Sequence, residues 1–208
     1  MKYLVGARGS KLSVAQTNWV ISELKKVNPD SEYEIKPITT KGDTDTRPLF
    51  TIEQKGIFEK EIDKAVAEKE VDFAVHSLKD IPSDLADNLI IASIPKREKV
   101  NDVFISSDGS SLDKIKAGSI IGTSSLRRAV QIIRQRSDVT VKPIRGNIET
   151  RINKTSGEHF DAIVLAQAGI SRLGVDVNFT PLSTDDFSPS PGQGAIAIVA
   201  RTDDLKTI

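Results

Sequence analysis

The chain has 208 residues, a length between one large and two small domains and enough to bury a substantial core. Its 29 basic and 29 acidic residues cancel, aromatics make up only 5%, and no basic block dominates, so a nucleic-acid partner is not indicated and any positive site must be local. The absence of cysteine removes disulfides, thiolate metal sites and cysteine nucleophiles. With the short apolar run of "MKYLVGARGS" and no stretch near the ~20 apolar residues of a membrane span, it leads us to expect a cytoplasmic chain with no membrane partner.

In chain order, "YLVGA" reads as a strand and "KLSVAQTNWVISELKKV" as a helix with Leu12, Ala15, Trp19 and Leu24 near one stripe. "YEIKPIT" is a second strand, "GIFEKEIDKAVAEKE" a helix carrying Phe58, Ile62, Ala65 and Val66, and "VDFAVHSL" a third strand. Such alternation predicts an α/β fold with a largely parallel sheet. The plan then restarts. "VGARGSKLSVAQTNWVISEL" and "IGTSSLRRAVQIIRQR" share an apolar strand, a loop of small residues, basic residues and an amphipathic helix with an Ala and a Gln, while "FDAIVLAQAGIS" parallels "VDFAVHSLKDIP".

Two α/β domains facing each other around a cleft are therefore expected, with two hinge crossings. "IPKREKVNDVFISSDG" crosses into the second half, and "FSPSPGQGAIAIVAR" crosses back, so that "AIAIVA" can pair with the first domain's sheet. Domain 1 is expected at 1–96 and 193–208, and domain 2 at 97–192. Ligands of open α/β sheets bind beyond the carboxyl ends of strands, which makes the cleft the default site.

Thr123, Ser124 and Ser125 are suited to cap a helix whose apolar positions Leu126, Val130 and Ile133 recur with helical spacing. Arg127 and Arg128 then fall in its first turn, where the helix dipole is already positive and each cation costs about 0.3–1 kcal/mol. An anion would reverse that penalty, because backbone N–H groups, hydroxyls and two guanidinium forks would all point at it; the plainer reading is two solvated arginines. Arg134 and Arg136, near the other end, fit the dipole. Further basic residues recur at strand-to-helix loops: Arg145 and Arg151 in "IRGNIETR", Arg8, Ser10 and Lys11 in "GARGSKL", and Lys55 in "KGIF". Gathered in a cleft, they would suit a ligand with several negative charges.

Ser77, Lys79 and Asp80 end the strand "VDFAVHS" on the cleft side by the same rule. A carboxylate in a site otherwise built for anions is useful where a cation or N–H donor develops during reaction. His76 faces the opposite side of its strand by alternation and reads as structural, and His159 in "SGEHFD" reads as exposed. Two distant histidines without cysteine give no metal spacing, and neither GxxxxGK[ST] nor GxGxxG is present.

The stretches "ARGSKLSVAQ", "TTKGD", "KGIFEKE", "DFAVHSLKDIP", "GTSSLRR", "IRGNIETR", "DAIVLAQAGISRLG" and "PGQGAIAI" run in order over nearly the whole chain, which thereby resembles the porphobilinogen deaminase, or hydroxymethylbilane synthase, family. The resemblance implies a transferase of tetrapyrrole (porphyrin, heme) biosynthesis that joins four porphobilinogen units with loss of ammonia, on a type II periplasmic-binding-protein-like architecture. It implies Asp80 as the catalytic aspartate, acting on pyrrole N–H groups and a methylene-pyrrolenine cation. Arg8, Ser10, Lys55, Thr123, Ser124, Ser125, Arg127, Arg128, Arg145, Arg151 and Arg172 match positions that bind or adjoin cofactor or substrate carboxylates, with Ser77 and Lys79 in the same cleft. The implied cofactor is a dipyrromethane. In the family it hangs from a cysteine of a C-terminal domain, which this sequence is expected to lack, and no covalent attachment is possible in a chain without cysteine. Thr51 stands where many relatives carry another basic residue. A monomer acting on porphobilinogen is expected; the alternative is a non-catalytic small-anion or pyrrole-binding module on the same fold.

Overall fold

Short, almost wholly apolar strands alternate here with helices that bury only one stripe, a pattern that forces each sheet between two helical layers. The structure, a computed structural model, describes residues 1–44, 58–156 and 159–208. In chain order these residues form β1 (Lys2–Arg8), α1 (Lys11–Val27), β2 (Glu32–Ile38), α2 (Lys41–Thr44), α3 (Lys60–Ala67), β3 (Phe73–Ser77), a 3-10 turn (Leu78–Asp80) and β4 (Leu89–Ser93). There follow β5 (Asp102–Ser106), β6 (Ile120–Gly122), α4 (Leu126–Gln135), β7 (Thr140–Lys142), α5 (Ile148–Asn153), β8 (Ala162–Ala166), α6 (Gln167–Leu173), β9 (Thr180–Pro181) and β10 (Ile196–Arg201). Among the described residues, unit 1 comprises 1–44, 58–98 and 194–208, and unit 2 comprises 99–156 and 159–193.

The unit 1 sheet has the order β2-β1-β3-β10-β4, and the unit 2 sheet β7-β6-β8-β5-β9. In unit 1, β1 runs parallel to β2 and β3, while β10 runs antiparallel to β3 and β4. Unit 2 repeats this, with β6 parallel to β7 and β8 and with β5 antiparallel to β8 and β9. The sheets are thus mixed rather than largely parallel. β5 and β10 are the strands that follow each crossing of the chain, so neither needs the helical crossover that a parallel neighbour demands.

Alternation along β3 sends Phe73 and Val75 into one cluster with Val5, Val20, Ile21 and Ile196, and Ala74 into another with Ile62, Val66, Leu89 and Val199. In unit 2, Phe104, Ile121, Ile132, Val164 and Phe187 fill one face, and Val103, Ile105, Ile163, Leu165 and Ile170 the other. The same local devices recur in both units. Asp72 accepts the Leu4 N–H at 2.7 Å, pinning β1 to β3, and Asp161 accepts the Ile120 N–H at 2.6 Å, pinning β6 to β8. Ser10 caps α1 by accepting the Ser13 N–H, and Ser125 caps α4 by accepting the Arg128 N–H.

Two helical stripes differ from the expected ones. The buried face of α1 carries Ser13, Gln16, Thr17, Val20 and Ile21, leaving Leu12, Ala15, Trp19 and Leu24 on its half-buried flank. The cause is polar: Thr17 Oγ1 donates to the Ser13 carbonyl, and Ser13 Oγ accepts the Arg8 N–H, so small hydroxyls replace alkyl groups nearest the sheet. In α4 the apolar stripe Leu126, Val130 and Ile133 faces outward at 72%, 60% and 42% exposure, while Arg128 and Ile132 are buried. The reason is a buried carboxylate, described below.

Gly122 ends β6 where a Cβ atom would lie 2.9 Å from Phe160, 3.0 Å from Ile163 and 3.1 Å from Ile144. Close approach, not backbone freedom, selects glycine there. Gly122→Ala is expected to lower unfolding free energy by about 1–3 kcal/mol, the usual cost of overpacking, as read by urea denaturation. Gly9→Ala, where a Cβ meets nothing within 4 Å, serves as the comparison.

Candidate functional site

Each unit gathers polar residues at the carboxyl ends of its parallel strands. In unit 1, β1 ends in Arg8 and β3 in Ser77, and the 3-10 turn that follows carries Lys79 and Asp80. A pocket of about 60 Å³ opens there, lined by Arg8, Ser10, Gln16, Phe58, Glu59, His76, Ser77 and Asp80, among others. The Arg8 guanidinium lies 4.2 Å from the centre of the Phe58 ring, a cation–π contact. Gln16 Nε2 donates to Ser77 Oγ at 2.9 Å. Asp80 is exposed, and Lys79 is exposed beside it without lining the pocket.

His76 points away from Ser77, as strand alternation requires, and meets α3, where its Nε2 lies 3.0 Å from Asp63 Oδ1. The two atoms are close but misaligned for a hydrogen bond, and neither has another partner.

Glu59, which the sequence reading passed over, is only 2% exposed. Its Oε2 accepts the Phe58 N–H at 3.2 Å, and its Oε1 has no partner. Burial pushes this carboxyl up to about 7, against the smaller opposing effects of the Phe58 N–H and His76. The clue was positional: Glu59 falls three and seven residues before Ile62 and Val66, on the buried stripe of α3.

Unit 2 is organised by another carboxylate that the sequence reading missed. Asp102, at the start of β5, has no solvent exposure. Its Oδ1 accepts Arg128 Nη2 at 2.7 Å, Arg128 Nε at 3.1 Å and Gln193 Nε2 at 2.9 Å, and its Oδ2 accepts Arg127 Nη2 at 2.7 Å. Burial alone would raise this carboxyl, but the charge and hydrogen bonds of Arg128, then of Arg127, hold it below the ordinary aspartate value. Arg128 Nη1 goes to the Val164 carbonyl at 3.1 Å, and Arg127 Nη1 donates to the Ser188 carbonyl. The anion that rescues two cations in the first turn of α4 is therefore part of the protein. The reading of two simply solvated arginines is thereby corrected for Arg128, which is buried, and both guanidinium groups bond Asp102.

The hydroxyls of the β6–α4 loop are also used internally. Thr123 Oγ1 accepts the Ser125 N–H at 3.2 Å, and Ser124 Oγ donates to the Ile144 carbonyl at 2.7 Å while accepting the Ile144 N–H at 3.1 Å. Arg145 follows this tie, and Arg151 Nε donates to the Gly146 carbonyl at 2.6 Å. Arg151 is pulled down to about 10, first by burial and then by the charges of Arg128 and Arg145. The charges of Arg128 and Arg145 thus both oppose protonation of Arg151. Arg172 sits in the last turn of α6, about one and a half turns from the end of β8. Lys55 and Thr51 lie outside the described residues. Among the described residues, no group of three or more His, Asp or Glu is placed to hold a metal, and no helix is long and apolar enough to cross a membrane.

Two stability tests follow from these carboxyls. Asp102→Asn removes the charge but leaves the buried Arg128 behind, and is expected to cost about 3–5 kcal/mol at pH 7 by urea denaturation. Because the folded-state value of Asp102 is lowered, the advantage of the wild type should be full above about pH 4 and should shrink as pH falls further. Glu59 has the opposite sign. Its folded value is raised, so the stability it contributes is present below about pH 4.5 and declines towards pH 7, by at most about 3 kcal/mol. Glu59→Gln should therefore gain on the wild type between pH 5 and pH 8 and show no further gain above.

Comparison with known proteins places residues 3–208 on the family described as "Porphobilinogen deaminase, dipyromethane cofactor binding domain". A probable porphobilinogen deaminase of Nitrosopumilus maritimus is 82% identical over 208 residues, covering 100% of this chain and 67% of that relative. The porphobilinogen deaminase of Listeria innocua is 49% identical over 211 residues, covering 99% of this chain and 68% of its own. Among solved structures, the BenM effector-binding domain with its effector benzoate aligns at TM-score 0.56 and 12% identity over 97% of this chain and 83% of its own. An arginine transport periplasmic binding protein of Legionella pneumophila aligns at 0.53 and 14% over 99% and 88%. At these identities the structural likeness establishes the fold alone, of the type II periplasmic-binding-protein kind.

Proposed function

Since the chain belongs to the porphobilinogen deaminase family, we propose that it is a hydroxymethylbilane synthase with Asp80 as its catalytic residue. Porphobilinogen carries two carboxylates and an aminomethyl group on a pyrrole. In each condensation the bond from the methylene carbon to nitrogen breaks, ammonia leaves with the electron pair, and a methylene-pyrrolenine cation remains. A second pyrrole attacks that carbon through a ring position and then loses the ring proton. The protein's part is to hold the carboxylates, keep the cation beside a fixed negative charge and accept the proton.

The observation that carries this reading is the placement of Asp80. Its exposed carboxylate follows the end of β3 and lines the same pocket as Arg8 and Ser10. A carboxylate there can accept from pyrrole N–H groups and stabilise positive charge that spreads over the ring, while Arg8 takes a carboxylate. In unit 2 the like-charged group Arg128, Arg145 and Arg151 supports carboxylate binding, with Arg145 and Arg151 the better placed because Arg128 already serves Asp102. Thr123, Ser124, Ser125 and Arg127 shape that loop. Ser77, Lys79, Lys55 and Arg172 are assigned to substrate or cofactor carboxylates by family position.

A dipyrromethane suits the arginine loop, where its acetate and propionate groups would offset the burial, and then the repulsion from Arg128 and Arg145, that lower Arg151. Arg145 and Arg151 would hold it, without a thioether from this cysteine-free chain. When bound it supplies the pyrrole end on which the product grows. On this reading the enzyme is monomeric and cytoplasmic and acts on a small molecule.

The test is porphobilinogen consumption by the 208-residue chain, with ammonia and uroporphyrin followed together, with and without preformed hydroxymethylbilane. Asp80→Ala should leave circular dichroism unchanged and reduce turnover by about 100-fold or more, the scale expected on losing one electrostatic or acid–base group. Turnover near the wild-type rate in that variant would remove Asp80 from the mechanism. Binding of porphobilinogen without ammonia release by the wild type would favour a pyrrole-binding module.

A further inference from the structure

The pocket of Asp80 holds a second carboxyl whose chemistry the reaction leaves unused. Glu59 is the residue before α3, with its side chain making no cap bond to the helix. It lines the same pocket as Asp80, yet it is almost fully buried where Asp80 is exposed. One oxygen accepts from the Phe58 N–H, and the other, Oε1, has no partner. An ionised carboxylate in such surroundings leaves lone pairs without donors, whereas a neutral carboxylic acid has fewer acceptors to satisfy.

The charged and titratable groups around it come from several elements. α3 brings Asp63. β3 contributes His76, the 3-10 turn Asp80 and the end of β1 Arg8. α1 and the turn before it add only uncharged groups, Ser10, Ser13 and Gln16 among them. The charges of Asp63 and Asp80 both oppose ionisation of Glu59, and the charge of His76 favours it.

We infer that Glu59 is a positioning residue that keeps a proton inside this pocket, so that the negative charge nearest the reacting pyrrole is confined to Asp80. The two carboxyls form an unequal pair, Glu59 buried and Asp80 open, a difference that their surroundings impose. Ionising Glu59 would place a second negative charge behind Asp80 and couple the two titrations. Its burial raises its value to about 7, so the changeover falls near neutrality. The inference rests on the reading of Asp80 as the reacting carboxylate, but its central claim concerns two protons and is measured without turnover.

The experiment is carboxyl-carbon NMR of the 208-residue chain carrying labelled aspartate and glutamate, titrated from pH 3 to pH 9. Signals are assigned through Glu59→Gln and Asp80→Asn. The expected result is a Glu59 midpoint near neutrality that falls by about half a pH unit or more in Asp80→Asn. Reciprocally, the Asp80 signal should show a small second step at the Glu59 midpoint, and Glu59→Gln should abolish that step while leaving the main one and the circular dichroism in place. A Glu59 midpoint in the ordinary range near 4.5 would overturn the proposal, as would no response to Asp80→Asn or a second Asp80 step that survives Glu59→Gln. A purely structural Glu59 moves stability without linking the two titrations. The turnover of Asp80→Ala, measured separately, decides the functional reading whatever this titration gives.

Discussion

Moving a carboxylate such as Asp102 wholly out of water costs several kcal/mol unless cations and hydrogen-bond donors come with it, and unit 2 is assembled around that demand. Arg128 spends its guanidinium on Asp102 and on the Val164 carbonyl, which joins the start of β5, the first turn of α4 and the middle of β8 in one network. Arg127 extends it to Ser188, and Gln193 adds the Val100 carbonyl at 2.7 Å. The charge also settles which way α4 faces. With Arg128 drawn inward, Ile132 follows one turn later on the same side, and Leu126, Val130 and Ile133 are turned to solvent.

Unit 1 uses the same scaffold with the electrostatics reversed. Ser13 stands three residues after the α1 cap, as Arg128 stands three after the α4 cap, and a hydroxyl there needs no buried anion. Gln16 and Gln131 each stand six residues after their caps. Gln16 bonds Ser77 at the end of β3, and Gln131 bonds both the carbonyl and the N–H of Ser188. A repeated framework of strand order, aspartate pins and serine caps thus carries Arg8 with Asp80 and Glu59 at the strand ends of one unit and the arginines of the β6–α4 and β7–α5 loops at those of the other. What differs between the units is the chemistry of a few side chains, and that is where function is read.

The repeat was legible because its devices are local. A serine before a helix and an aspartate before an apolar strand announce themselves within a few residues, and so did Asp80 after a buried strand. The direction of β5 and β10 was not legible, because it is set by partners 56 and more residues away along the chain. Nor was the facing of α4, since hydrophobic periodicity favours the apolar stripe and says nothing of an aspartate 26 residues earlier that outbids it. Asp102 and Glu59 share the reason they were missed. Each is a single acid beside or within an apolar run, where a sequence offers an interruption and only burial turns it into a feature.

The chain as a whole is electrically neutral, so its local imbalances carry the information. Near Glu59, acids oppose one another's ionisation; near Arg151, guanidinium groups oppose one another's protonation. Neither arrangement gives the folded protein its lowest electrostatic energy, and both are the kind of strain that a ligand of opposite charge relieves. The Asp102 network shows that this sequence can neutralise buried arginines when stability is the end served. On the proposed reading, ligand carboxylates answer the second imbalance on binding, and a cation that forms during reaction answers the first only as it reacts. That timing is what separates a catalyst from a receptor, because charge stabilisation withheld until the transition state lowers a barrier instead of deepening a binding well.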